Sequence, residues 1–379
     1  MADVTIKQSN LNGGVLGDLS RQWFSRPDDE RITGKDSMDA RLNIEKIATQ
    51  FYMNSRNQII NTHAITVIPW EEQGLVLQGS KGVAAPSYWA MTQLCQRAGV
   101  PAGYVRGSLA TNPKLAAECL NYGLRQREDD RVALLLTKKD ETAIQFAACT
   151  GPTYGRIWNK DILHAVNKVL DDKWTVPGIF GQPVSTITKE NTSLFISAQD
   201  MFIGLSDETR KIEIPNRRDG KPGMLSRGVL IGNSETGAGV LTIKGFLFDY
   251  ACFNRNFWGV EDITEIRIRH TSGAPERFLM EARPAIQKFL NAGTSKTMKI
   301  LEAARSHKIA DPLDFLGKKF TRPAAQAIIE IHKEEEHRPI ENLWDANVGA
   351  TAYARTLSFQ DERVRIETIA GEMMPKMAA

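Results

Sequence analysis

A chain of 379 residues with 42% hydrophobic and 25% charged residues has the make-up of an ordinary globular protein, which excludes a disordered or membrane-embedded chain. Its formal net charge of +3 is too small to require a polyanionic partner, and no stretch approaches the roughly 18 uninterrupted apolar residues that a spanning helix needs. The four cysteines, Cys95, Cys119, Cys149 and Cys252, lie far apart without a C-x-x-C pair, so neither a disulfide nor a zinc site is expected.

The length exceeds what one core usually serves, so two lobes or one large domain with appendages is the natural arrangement. Asp3, Lys7, Gln8, Asn10 and Asn12 stand where a secretion signal would carry its apolar run, and the expected compartment is the cytoplasm. Residues 1–36, with Gly13, Gly14, Gly17, Gly34 and the run Arg26-Pro27-Asp28-Asp29-Glu30-Arg31, lack an apolar period and read as a loosely docked arm. From Ser37 to Asn54 the positions Met38, Leu42, Ile44, Ile47 and Ala48 approximate a 3.6-residue period behind a possible Asp36 or Ser37 cap, which predicts a helix. Thr62–Trp70 and Gly74–Gln78 read as a hairpin. Three short helices follow, at Pro86–Arg97, from Pro101, and from Asn112-Pro113, and complete a mixed helical subdomain over 37–130.

An antiparallel β-rich core is expected over 131–274. Arg131–Thr137 and Thr142–Cys149 form a second hairpin around Lys138-Lys139-Asp140-Glu141, and a helix from Asn159 to Leu170 carries Ile162, Leu163, Val166 and Val169 on one stripe. Thr192–Leu205, Val229–Asn233 and Gly239–Phe248 are β-rich, without the βα alternation of a doubly wound fold. Beyond Pro275 the chain turns helical, at Pro275–Ala292, Ser295–His307, Pro323–His332, Ile340–Arg355 and Asp361–Met374, a lobe over 275–379. The expected class is α+β: a central antiparallel sheet with a helical N-terminal subdomain and a helical C-terminal lobe.

Several stretches carry a resemblance: Trp89 with Leu94, Ala98-Gly99-Val100-Pro101, Leu120 to Arg125, Tyr154-Gly155-Arg156-Ile157-Trp158-Asn159, and above all Gly232-Asn233-Ser234-Glu235-Thr236-Gly237 followed by Cys252-Phe253-Asn254 and Arg269-His270. With Trp344-Asp345 and Glu367–Gly371 they resemble the prophage and plasmid family catalogued as domain of unknown function 932, over most of Trp89 to Met374. The resemblance implies a place on mobile elements, hence host cytoplasm for a phage-encoded chain, and a role in DNA metabolism or defence. It implies no catalytic set.

Two constellations suggest nucleic-acid chemistry. Arg210–Arg227 gathers Arg210, Lys211, Arg217, Arg218, Lys221 and Arg227 against Glu213 and Asp219 around Asp219-Gly220-Lys221-Pro222-Gly223, which reads as a mobile loop able to lay cations along a phosphate backbone; its plain alternative is a solvated hairpin tip. Phe246, Phe248, Tyr250, Phe253, Phe257 and Trp258 interleave with Lys244, Arg255, Arg267, Arg269 and His270, which suits base stacking with phosphate contacts or, more plainly, the core of a sheet. Glu235 and His270 are a weak catalytic alternative inside what otherwise reads as a tight turn. His332 and His337 flank Lys333-Glu334-Glu335-Glu336, without the four-residue offset of a zinc helix, and read as a solvated charge run. Phosphate-loop, dinucleotide and Gly-x-Ser-x-Gly fingerprints are absent.

The leading expectation is a single-stranded nucleic-acid-binding protein, of annealing or recombination-accessory kind, that needs no cofactor and self-associates through its helical lobe. Arg217, Arg218, Lys221, Arg227, Arg255, Arg267 and Arg269 would hold phosphates, and Trp258 or Tyr250 would stack. The alternatives are a metal-dependent enzyme on nucleotides or nucleic acid using Glu235 and His270, and a non-catalytic protein that blocks a host factor. The first reading requires its cations to converge on one accessible groove.

Overall fold

The computed structural model describes residues 23–375, apart from residue 25 and the stretches 71–73, 80–81, 128–129, 140–142, 178–183, 219, 251–253, 257–265 and 291–294. Among these residues no helix is long and apolar enough to cross a membrane. The fold is α+β, with mainly antiparallel sheet flanked by helical regions, as the sequence predicts; the β-structure is divided between two sheets.

Strand β1 (Glu30–Arg31) precedes helix α1 (Ser37–Asn54), whose N-cap Asp36 accepts the backbone N–H of Asp39. Strands β2 (Ser55–Asn61), β3 (Thr66–Trp70), β4 (Gly74–Gly79) and β5 (Gly82–Pro86) follow, then helices α2 (Tyr88–Ala98), α3 (Ala102–Leu109) and α4 (Pro113–Arg125), and strands β6 (Arg131–Lys138) and β7 (Ile144–Thr150). The first sheet runs β2-β6-β7-β5-β4-β3, antiparallel except where β5 lies parallel to β7. Its centre is apolar on both faces: Leu134 and Phe146 pack with α2 to α4, while Leu135, Ala147 and Ala148 pack with Phe51 of α1.

The boundary expected at residue 131 falls inside this sheet. Strand β6 pairs with β2 along its whole length, and β7 lies between β6 and β5, so residues 131–150 belong to the first lobe. The physical reason is β2 itself. Its Ser-Arg-Asn-Gln-Ile-Ile-Asn sequence shows no alternation because it is a mostly exposed edge strand, and without it the β6–β7 hairpin has no evident tie to the preceding strands.

The second lobe is built from helix α5 (Asn159–Val169) and strands β8 (Trp174–Thr175), β9 (Leu194–Ile196), β10 (Met201–Arg218), β11 (Lys221–Asn233), β12 (Leu241–Asp249), β13 (Asn254–Asn256) and β14 (Ile266–Ile268). Their order is β1-β9-β10-β11-β12-β13, with β14 also pairing β12 and β8 pairing β10. One face packs Ile203, Val229 and Ile231 against Ile44 of α1, Ile162 of α5 and Phe278 of helix α6 (Ala274–Leu290). On another cluster Phe202, Phe246, Phe248 and Tyr250 meet, so these aromatics are core and do not offer their faces to bases. Phe253, Phe257 and Trp258 lie outside the described residues.

Helices α7 (Ser295–Ser306), α8 (Pro312–Gly317), α9 (Arg322–Glu336), α10 (Leu343–Arg355) and α11 (Gln360–Met373) form the C-terminal lobe. The core 219–223, expected as a mobile loop, stands at the tip of the β10–β11 hairpin, its plain alternative: the two strands stay paired out to Arg218 opposite Lys221, and residue 219 lies outside the described residues. The alternation Lys211-Ile212-Glu213-Ile214 is a strand signal, and Ile214 and Leu225 are buried with Leu301 of α7 and Trp344 of α10. The charge run at 332–337 is also corrected. His332 is fully buried and Glu336 nearly so, because Ala325, Ile328, His332 and Glu336 form one helical stripe, the buried one, on α9. Within the expected arm, Trp23 is buried in the first lobe and Arg26 reaches Asp200 and Asp361, each at 2.8 Å, while β1 pairs with β9; that part is firmly docked, and residues 1–22 lie outside the described residues.

Candidate functional site

The two lobes meet at Asn233–Gly237, the segment that leaves β11. From the first lobe, Trp89 Nε1 and Gln93 Nε2 of α2 donate to the Thr236 carbonyl at 3.2 and 2.9 Å. From the other side, Asn233 Nδ2 donates to the Ile157 carbonyl at 3.0 Å and to Asn159 Oδ1 at 2.7 Å, and the Tyr154 hydroxyl donates to the Ser234 carbonyl at 2.9 Å. Helix α5 begins behind Trp158, which has no capping oxygen, so Glu235 supplies one from a distance: its Oε1 accepts the Asn159 N–H at 2.8 Å. Gly155 lets the linker pass beneath Thr271, since a Cβ there would sit 1.8 Å from the Thr271 carbonyl oxygen. Gly155→Ala should therefore cost about 1–3 kcal/mol in urea unfolding, the usual range for an added group in a full space; a neutral result would show that this close approach is not fixed.

Burial sets the electrostatics of this joint. Glu235 is 5% exposed, and desolvation pushes its carboxyl up to about 7 against the Asn159 N–H and the Arg156 guanidinium, which favour the charged form. Arg156, itself buried, lies over the Tyr154 and Trp158 rings at 5.1 and 5.6 Å, and its pKa is lowered by desolvation. Burial likewise pushes His270 down to about 4, so it is neutral at pH 7; its ring stacks on Tyr154 at 4.8 Å and Nδ1–H donates to the Gly155 carbonyl at 3.1 Å. The fold thus brings Glu235 and His270 to one cluster around Arg156, with both side chains buried and engaged in holding the linker.

Beside the joint opens a cleft of about 460 Å³. Gln96 and Arg97 from the end of α2 and Arg127 from beyond α4 carry its polar wall, and Thr150, Gly151 and Tyr154 face them. Gly237 also lines it, in the left-handed region at φ +86°, where a Cβ would come within 3.2 Å of both Gln93 Nε2 and Thr150 Cγ2. Asp130 stands 3.8 Å from Arg97, and both side chains are about a third exposed, so this pair is weak. Cys149 also lines the cleft; burial pushes its thiol up to about 12, which makes it an apolar wall without thiolate character at neutral pH. Two guanidinium groups and a carboxamide in a concave site suit a phosphate or carboxylate. A larger cavity of about 550 Å³ runs along the first sheet beside Ile60, Leu77, Leu134 and Ile144, with Arg56 and Lys138 also in its lining.

The residues expected to bind a strand are scattered. Arg255 is 1% exposed, with its guanidinium on Glu367 at 2.9 to 3.1 Å and on Gln360 at 3.2 Å, and Arg227 is buried within β11 opposite Leu247. Lys221 is exposed at the hairpin tip, whereas Arg267 lies beside Thr242, which pairs with Gly232; that separation is ~35 Å of strand at ~3.3 Å per residue. Arg269 is exposed just beyond β14. The side chains of Arg217 and Arg218, like Trp258, lie outside the described residues. The described cations therefore do not share one groove. Sequence reasoning missed Arg97 and Arg127 because each stands at or just past a helix C-terminus, where a cation is ordinary complement to the helix dipole.

Trp89, Tyr154–Asn159, Asn233–Gly237 and His270, from stretches quoted above for the family resemblance, come together at this joint. No family model matches the chain, and no curated protein or solved structure does either.

Proposed function

We propose that this chain is a binding protein for phosphate-bearing nucleic-acid ligands, nucleotide or single strand, and that the ligand's phosphate is held by Arg97 and Arg127 in the cleft between the lobes. The observation that carries the reading is the convergence of these two guanidinium groups, from two different helix ends, on a cavity of about 460 Å³, which is in the size range of small-ligand sites. The reading moves the phosphate contacts away from the central sheet, where Arg255 and Arg227 are buried. It is a binding role, because Glu235 and His270 hold the linker between the lobes and Cys149 is a thiol.

Fluorescence anisotropy with a labelled, 5′-phosphorylated single-stranded oligonucleotide tests it. Replacing both Arg97 and Arg127 with Ala should weaken binding at least tenfold, and the salt dependence should lose about one to two counterions for the phosphate contacts removed. Unchanged affinity and slope in the double variant would remove the cleft from the reading. The same loss of affinity after Lys221→Ala with Arg267→Ala would return the contacts to the sheet.

A further inference from the structure

We infer that the phosphate this cleft takes is a terminal one, a phosphomonoester on a nucleotide or on the 5′ end of a strand, and that the internal phosphodiesters of a strand do not enter it. The inference rests on the phosphate-binding reading above and narrows it.

The close packing at Gly237 is the first ground. A phosphodiester is continued by sugar on both sides and needs a groove with two exits. Here Gly237 is packed against Gln93 and Thr150 so closely that even a methyl group would crowd them. Gln93 cannot swing aside at no cost, because its Nε2 is on the Thr236 carbonyl and its Oε1 accepts the Cys149 N–H at 2.8 Å. A group that terminates in phosphate can end against that wall.

Charge is the second ground. A monoester carries about −1.5 to −2 at pH 7 and three terminal oxygens, against a single charge and two such oxygens for a diester. Arg97 is already loosely held by Asp130 at 3.8 Å, so an entering anion must outcompete a carboxylate. A single negative charge only replaces what it displaces; a dianion adds to it and engages Arg127 as well. Thr150 Oγ1 donates to the Ala133 carbonyl, so its remaining role at the cleft is as an acceptor, and the guanidinium forks are the principal donors.

Four probes against the full chain test this: an oligonucleotide with a 5′ phosphate, the same oligonucleotide with a 5′ hydroxyl, a nucleoside 5′-monophosphate, and inorganic phosphate. The phosphorylated strand should bind at least tenfold tighter than the hydroxyl strand, and this preference should fade as pH falls through about 6, where the monoester takes up its proton. Arg97→Ala should abolish the preference, and Asp130→Asn, which frees Arg97, should increase affinity for the monoester. A mononucleotide that matches the phosphorylated strand, or competes better than inorganic phosphate, supports the inference and assigns the nucleotide as the unit recognised. A phosphorylated strand that far exceeds the mononucleotide supports it with the strand end as ligand. Equal, measurable affinity for both strands overturns the inference while the phosphate reading stands. Failure of all four probes to bind overturns that reading itself.

Discussion

Glu367→Ala is expected to destabilise the folded chain by roughly 3–5 kcal/mol, the cost of removing one partner from a buried ion pair. Glu367 is fully buried, and its carboxylate accepts from Arg255 Nε and Nη2 and from Arg363 Nε at 2.9 to 3.1 Å. Two guanidinium groups thus depend on one carboxylate. The side chain of Arg255 is 1% exposed and that of Arg363 15%, and Arg363 is pushed down to about 10 by burial and then by the like charge of Arg255. Removal of Glu367 leaves two cations facing each other between β13 and α11. Glu367→Gln, which keeps one carbonyl acceptor and the shape, should cost less. The check is the urea midpoint at pH 7 with unchanged slope; a loss under 1 kcal/mol for the alanine variant would show that water reaches these arginines.

The same triad explains why the nucleic-acid constellation misled. Arg255 stands among aromatics in the sequence, and that context does suit a stacking platform. Its partner Glu367 lies 112 residues away on the last helix, so neither the burial nor the neutralisation of Arg255 could be seen locally. What was legible is what depends on local periodicity. The hairpins at 66–79 and 131–150, helices α1 and α5, and the C-terminal helices except the short α8 follow from apolar spacing, caps and turn residues. The polar edge strand β2 and the small-residue strand β5 had no such signal, and with them was lost the first sheet. His332 shows a signal that was present and overruled: it falls four residues after Ile328 on the buried stripe of α9, but the acidic run beside it suggested water. The cleft was not legible at all, since it exists only where the ends of two helices and the loop after β7 converge on Gly237.

The joint between the lobes yields the second large effect, in stability against pH. Glu235 has an ordinary value of 4.5 in the unfolded chain and about 7 in the fold, so the folded state binds its proton more tightly. The contribution of Glu235 to stability is accordingly full below about 4.5 and declines as pH rises through about 7, by an amount on the order of 3 kcal/mol. Asp200, pushed up to about 7 by burial despite Arg26, acts in the same direction, while buried His270, pushed down to about 4, acts in the opposite one below its unfolded value, so the wild-type curve alone does not report Glu235. Glu235→Gln isolates the first group: its amide oxygen can still accept the Asn159 N–H that caps α5, and it has no charge to bury. The variant should match the wild type near pH 5 and become the more stable of the two by pH 8, where the native carboxylate must be ionised in a site 5% exposed. Urea unfolding of both proteins across pH 5 to 8 measures the difference directly. A glutamine variant less stable than wild type at pH 8 would mean that the ionised carboxylate is the favoured cap and that Arg156 outweighs the burial around it.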